Sequence, residues 1–461
     1  MKNYLFALLT LLFAACGGDE NPEPAGPDPV PDPEPIVSLS CAITAPQANA
    51  VINPEEKLTI SGEGQIEGDS WGSVVLKVGS KQIESVKALP FSYVHTFDNT
   101  IQNGPLTIRL EVRSKQSQAY AADQVIVQIK RPEPARPANV KYVVAQDGSG
   151  DYTTVQQAIN ALQSNQKSRQ VIYIKPGTYH EKLSVPSNKT FVTLVGADAA
   201  TTILTYDDSA GKSDGAGGTI GTQNSASFTI SGTDFQAQNL TFQNPHVNNT
   251  GSGDQAVAVG VYNDRATFYN CRLVGYQDTF YVKNKARVYC KDCYIEGNVD
   301  FIFGDAVLVC EDCQLHCNRH GSVITAAAEH TDSKFGYSFI RCRLTHITGK
   351  DFNNKEFSYF HLGRPWKQNA RVVFLYCEEP AKLHQAAWCR MSDGVDAALF
   401  GEYKCTGEGA TADRLAKREM GGRQLTDEEA AAYTLQNIFS KDTNPSKYSS
   451  DWMPDALISI Q

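Results

Sequence analysis

Five segments in the second half of the chain, FQAQNLTF, TFYNCRLVG, VYCKDCYIEG, LVCEDCQLHC and SFIRCRLTH, share one pattern. Each has an apolar strand-like run, then Asn or Cys, then a polar residue, then Leu or Ile. The key positions are Asn239, Cys271, Cys293, Cys313 and Cys342, and successive cysteines stand 22, 20 and 29 residues apart. One such segment cannot bury its apolar face alone, whereas stacked copies can. Intervals of this size suit one turn of a solenoid with loops of varying length. Parallel β-helices are built this way, with equivalent side chains stacking in buried ladders. The expected fold class is all-β, with a parallel β-helix over 138–461. The helix-like TTVQQAINALQ (153–163) is expected to cap its N-terminal end.

The chain before residue 138 reads differently. Lys2, the run LFALLTLLF and the small residues before Cys16 have the form of a signal peptide, 1–15. The apolar run is too short to span a bilayer. Cys16 directly after Ala14 and Ala15 resembles a bacterial lipobox, which implies cleavage before Cys16 and lipidation of its thiol. Phe13 stands where lipoboxes prefer leucine, and the alternative is an ordinary secreted protein cleaved nearby. Residues 16–36 are rich in proline and acid, an extended tether; their GGDE start resembles a surface-export signal of bacterial lipoproteins. The expected location is therefore the outer membrane or cell surface, or the periplasmic face, with the lipid anchor as the sole membrane contact. In 37–131, KLTISGEG, SVVLKVGSKQI, FSYVHTF, LTIRLEV and QVIVQI alternate with period two and read as strands of a small β-sandwich. SVVLKVGSKQI followed by PFSYVHTF resembles bacterial immunoglobulin-like domains, acting as spacer or weak glycan-binding module. Residues 132–137 read as a linker. A net charge of −9 argues against a nucleic-acid partner.

Cys290-x2-Cys293-x16-Cys310-x2-Cys313 has the spacing of a four-thiolate zinc site. In the repeat, however, Cys290 lies above Cys310 and Cys293 above Cys313, so a buried thiol ladder is expected and no metal. Neighbouring coils lie roughly 4.8 Å apart, within disulfide range for Cα atoms. In an exported protein a Cys293–Cys313 bridge is then an expectation to test.

Two carboxylates stand among apolar residues: Asp278 in GYQDTFY and Asp300 in GNVDFIFGDA. Seven residues on from Cys271 is Asp278, and seven on from Cys293 is Asp300, so both pairs are 22 apart. Equivalent positions on adjacent coils sit side by side, which places the two carboxyl groups roughly 5 Å apart. At that distance one is pushed to stay protonated while the other ionises. The asymmetry supplies an acid together with a base or nucleophile. A structural polar ladder and a calcium site are the alternatives.

PGTYHEKLSV (176–185), GDQAVAV (253–259), GYQDTFY (275–281), GNVDFIFG (297–304) and LGRPW (362–366) occur in the order found in pectin methylesterases, and with FGEYKCTGEGA (400–410) and a late WMP the resemblance covers 138–461. It implies a right-handed parallel β-helix acting on methyl-esterified homogalacturonan as a monomer, without cofactor. It implies Asp300 as nucleophile, Asp278 as acid/base, and Gln255 and Gln277 as the amides that hold the oxyanion. Arg364 would hydrogen-bond the nucleophile and anchor substrate. Thr222, Tyr281, Phe303 and Trp366 would line the sugar cleft, and His320 has no role. An esterase or thioesterase acting on another acyl group shares the motif set. A glycan-binding surface lipoprotein without chemistry should have lost one of the five polar residues, and all five are present. A lyase on the same scaffold would need an acidic calcium cluster that these motifs lack.

Overall fold

The computed structural model describes residues 37–98, 101–131, 139–247, 254–328 and 330–458. The signal peptide, Cys16, the tether and the 132–137 linker lie outside them. Two compact units are present. One is built on Lys57–His95, Leu106–Val127 and the residues before Ala50; the other takes Gln128–Gln461 with Val51–Glu56 and Thr96–Pro105.

The first unit has a three-stranded sheet, ordered Ser38–Ala45, Leu58–Glu67, Phe91–His95, and most of a second sheet built on Trp71–Val78, Gly104–Ser114 and Tyr120–Ile129. Four of the five expected segments form as single strands, whereas SVVLKVGSKQI breaks into a hairpin of Trp71–Val78 and Lys81–Gln82; the sequence reading missed Ser38–Ala45 and Val51–Ile52. The alternation places Ile60, Leu76, Ile108, Leu110 and Val112 fully inside, as a sheet with one covered face requires.

The second unit is a parallel β-helix. Its three sheets have eleven, seven and seven strands, and the β-helical coils step in parallel register from one strand to the next. One coil runs Ala266–Tyr269, Arg272–Val274, Phe280–Val282, and the next Arg287–Lys291, Tyr294–Gly297, Val299–Gly304. Phe228 stacks on Phe242, and Phe268 and Phe280 follow edge-on through the interior, with centroids 5.1 to 6.0 Å apart. Burying each ring stabilises the fold by about 1.5–3 kcal/mol. The helix Val155–Ala161 caps the N-terminal end as expected: Thr154 accepts from the Gln157 N–H, and Val155, Ala158 and Ile159 join the core. At the other end, Arg418 lies between Glu379 (2.9 Å) and Glu402 (2.7 Å), all buried. Burial first, then the neighbouring Glu402, pushes the Glu379 carboxyl well above its usual range, which limits the negative charge set against the one cation.

The register corrects the repeat at its first member. Gln238 pairs with Tyr269, so Asn239 is the equivalent of Asn270, and Leu240, not Asn239, precedes the cysteine ladder. Asn239, Asn270, Asp292 and Asp312 form a row of left-handed corners, with φ between 48° and 54°. Asn and Asp tolerate this conformation better than other side chains. Each corner N–H donates to the coil above, Asn270 to the Lys291 carbonyl (3.0 Å) and Asp292 to the Glu311 carbonyl (3.1 Å). The row continues through Arg341, Tyr376 and Lys404, where residue type gives no hint of it. The ladder also extends two further rungs, to Cys377 and Cys405.

The register places Cys290 against Cys310 and Cys293 against Cys313, as the repeat implied. The Cys293–Cys313 bridge does not form: both are free thiols, and each donates to a carbonyl instead, Cys293 to Lys291 and Cys313 to Glu311, both at 3.3 Å. Equivalent side chains on adjacent parallel strands point the same way. Their Cβ atoms therefore keep the coil spacing of roughly 4.8 Å, beyond the roughly 3.8 Å typical of a disulfide.

Candidate active site

The third sheet carries the site. Across four neighbouring strands, Tyr281, Phe303, Ala326 and Arg364 lie in one register row. The residues before the two aromatics, Phe280 and Ile302, point into the core, so the row faces outward by strand alternation. Tyr281 stacks on Phe303 at 4.2 Å and 6° between planes, and Trp366 leans on both rings at 6.5 and 6.0 Å. Tyr262 closes edge-on against Tyr281 at 5.7 Å. Together the rings make an apolar wall of the kind that takes the flat face of a sugar.

Asp300 enters this wall through a bulge. Val299 pairs with Val323 and Ile302 with Thr325, so the Asp300–Phe301 stretch holds one residue more than its partner strand. The bulge puts Asp300 at φ 53°, and Asp278, one coil earlier, sits at φ 67°. Both are left-handed positions. Such strain gathers where a side chain must be re-aimed. The Asp278 N–H donates to the Val299 carbonyl at 3.0 Å, which fixes the two coils against each other at the site. The Thr279 hydroxyl donates to the Glu296 carbonyl (3.0 Å) and holds the turn.

Arg364 grips Asp300 with two parallel bonds, Nε to Oδ1 and Nη2 to Oδ2, each 2.8 Å. Bidentate contacts of this kind are strong and directional. Burial pushes the Asp300 carboxyl above the usual range, and the Arg364 guanidinium opposes that rise. Asp278 is buried without such a partner. Burial first, then the charge of Asp300, drives it well above the ordinary carboxylate range, against a weaker pull from Arg364. Of the two, Asp278 is therefore the one pushed further towards its protonated form, and Asp300 is the one whose ionised form Arg364 favours. The asymmetry expected from spacing is present, and Arg364 decides its direction.

Gln255 and Gln277 line the same cleft, of about 380 Å³, with Thr222, Gln223, Asp278 and Asp300. The Ala256 N–H donates to the Gln277 main-chain carbonyl (3.1 Å), and the Ala210 N–H to the Gln255 main-chain carbonyl (2.8 Å), so the backbone that carries the two glutamines is fixed at the cleft. Thr222 sits in the short helix Gly221–Asn224, at the cleft edge. The structure thus gathers all nine sequence-derived site residues around one cavity. It adds Gln223, Ala326 and Met391. Ala326 is marked by its strand alone, and Met391 follows Trp388 in an irregular segment with no sequence signal. His320 stays apart, with Ser358 at 2.8 Å on its Nδ1.

The pectinesterase family model matches residues 141–442. The chain belongs to the pectinesterase family. Pectinesterase 31 of Arabidopsis thaliana is 38% identical over 296 residues, 63% of this chain and 89% of the relative. Among solved structures, the pectin methylesterase from carrot superposes with a TM-score of 0.58 at 31% identity, covering 68% of this chain and 95% of its own. A pectin methylesterase in complex with a hexasaccharide superposes at 0.56 with 27% identity, covering 69% and 99%. Family membership makes the chain a carboxylic ester hydrolase, and the β-helix is common to it and these pectinesterase structures.

Proposed function

We propose that the enzyme hydrolyses the methyl esters of galacturonate units in pectin, with Asp300 as nucleophile. The observation that carries this reading is Asp300, clamped by Arg364, beside a buried Asp278 whose carboxyl is pushed well above its usual range. Asp300 attacks the ester carbonyl, and the tetrahedral oxyanion is met by the side-chain amides of Gln255 and Gln277, which donate without bringing a charge. As the intermediate collapses, the C–OCH3 bond breaks, Asp278 gives its proton to the departing oxygen, and methanol leaves. The acyl group is now an anhydride with Asp300. Asp278, ionised by that transfer, takes a proton from water as the water attacks, and the polymer carboxylate and Asp300 are released. No step calls on a metal or organic cofactor. Arg364 holds the nucleophile ionised, and the Tyr281, Phe303 and Trp366 wall seats the sugar. Thr222, at the far edge, is assigned to substrate contact.

The pH profile of methanol release tests the assignment. Activity should rise as Asp300 ionises and fall as Asp278 loses its proton, so kcat/KM is bell-shaped with two values belonging to the coupled pair. Arg364 is what lowers the Asp300 carboxyl; Arg364→Met should therefore move the acid limb to higher pH. An acid limb that stays in place in that variant would remove Asp300 from its role.

Anchoring is proposed from Cys16 and the residues before it. The enzyme would then be an exported lipoprotein on a tether, with its immunoglobulin-like unit between anchor and catalytic β-helix. Cells fed a radiolabelled fatty acid should label the wild type and not Cys16→Ser. Equal labelling of both would reject the anchor.

A further inference from the structure

The chemistry above leaves Asp208 without a task, yet this residue is only 4% exposed. It lies just past the strand Thr202–Thr205, on the segment that leads to Thr222 and Gln223 at the cleft. Each of its carboxylate oxygens accepts from one ammonium group, Oδ2 from Lys182 and Oδ1 from Lys212. Burial works against the charge, and the two lysines outweigh it, holding the carboxyl below the usual range. Breaking such a pairing from one side leaves a buried charge uncompensated, so the knot resists opening. The lysine side chains themselves are 41% and 53% exposed, and both ammonium groups stand 5.7 to 5.8 Å from the centre of the Tyr206 ring.

A short chain of hydrogen bonds carries this hold to the cleft. The Asp208 carbonyl accepts from Asn244 Nδ2 at 2.9 Å, and that buried amide also reaches the carbonyls of Ser225 (3.3 Å) and Val257 (3.2 Å). Two residues past Asp208, the Ala210 N–H donates to the Gln255 main-chain carbonyl (2.8 Å), and the Ala210 carbonyl accepts from the Gly221 N–H (3.0 Å). Lys182 Nζ also donates to the Asn224 carbonyl (2.6 Å), at the end of the short helix that carries Thr222. Gln255 is thus tied to a segment whose anchor is Asp208.

We propose that Asp208 is a positioning residue of the active site. With Lys182 and Lys212 it fixes segment 208–212, and that segment fixes the backbone of Gln255 so that its amide meets the oxyanion. This role rests on the reading above, in which Gln255 is an oxyanion donor. Such a donor serves only at the place where the charge develops, and a shift of about 1 Å can cost on the order of 100-fold in rate.

The test is a cycle of four proteins, the wild type, Asp208→Asn, Gln255→Ala and the double variant, with methanol release measured across pH. Asparagine keeps the size of Asp208 and removes the charge, so one lysine loses its acceptor. The kcat of Asp208→Asn should fall roughly 10- to 100-fold. Both limbs of the pH profile should stay in place, since Asp278 and Asp300 keep their own neighbours. In the Gln255→Ala background the same substitution should change kcat by less than about twofold, because effects that act through one group do not add. Equal losses in the two backgrounds, or limbs that move, overturn the role. Should Asp208→Asn fail to fold, Lys212→Met takes its place in the cycle. It removes a half-exposed partner, and its expected loss is roughly two- to fivefold; an unchanged kcat there overturns the role. A Gln255→Ala protein with full kcat would instead remove Gln255 from the reading above. Hydrogen exchange at the Ala210 amide then judges the hold by itself: faster exchange in the Asp208 or Lys212 variant supports it, and an unchanged rate overturns it.

Discussion

Asp300→Asn is expected to lower kcat/KM for methanol release by roughly 10⁴-fold or more, the scale seen when a covalent nucleophile is removed. That corresponds to about 5 kcal/mol of barrier. An amide oxygen has no anion to offer the ester carbonyl, so the covalent path closes while the cleft keeps its shape. The neighbours should report the same change. The charge of Asp300 is one of the two causes that raise Asp278. Removing it lowers the Asp278 carboxyl towards its ordinary range and weakens the proton donor as well. Arg364 loses one of its two acceptors, since an asparagine amide presents a single oxygen. Methanol release, set beside a thermal melt, separates chemistry from folding. A folded Asp300→Asn protein that keeps even a tenth of the activity would end the assignment.

How much of this was legible beforehand differs between the coil and the corner. Solenoid architecture was open to reading because cysteines recur on one face at coil-length intervals, and a parallel stack converts equal spacing into adjacency. Asp278 and Asp300 stood out as carboxylates in apolar runs, that arithmetic put them side by side, and the family resemblance supplied their roles. Asn239 was misplaced by one residue for a related reason. Asparagine at a left-handed corner and cysteine just after it sit side by side in the sequence, and only the hydrogen-bonded register tells them apart. The corners at Tyr376 and Lys404 carry no residue signature, and the rungs that follow them, Cys377 and Cys405, were not read. Nor could the sequence show the bulge at Asp300. An extra residue in one strand is defined by its partner, Ser322–Ala327, whose paired residues come 23 to 24 positions further along, Val323 for Val299 and Thr325 for Ile302. The disulfide was misjudged because Cα spacing was considered without side-chain direction.

Gly304→Ala should destabilise the β-helix by more than about 4 kcal/mol, in the range reserved for named steric failures. Gly304 ends the strand that carries Asp300 and Phe303, and it pairs in register with Val282. Its φ is 122°, open to glycine and hostile to other residues. A Cβ built there would stand 1.8 Å from the Val282 carbonyl oxygen. Neither backbone can retreat. Val282 is fully buried, the stacked Tyr281 and Phe303 hold the two strands together, and the Gly304 carbonyl accepts from the Ala328 N–H (2.7 Å) and the Tyr337 hydroxyl (2.8 Å). Gly321→Ala is the matched control. It also has a positive φ, 70°, but nothing closer than 3.9 Å to the added carbon. There the loss should be limited to backbone strain, about 1–2 kcal/mol. Urea denaturation of the two variants therefore divides conformational strain from collision. Equal midpoints would mean that the strands can part at Gly304, and then the close pairing that sets Phe303 against Tyr281 would not be what keeps the aromatic wall beside Asp300.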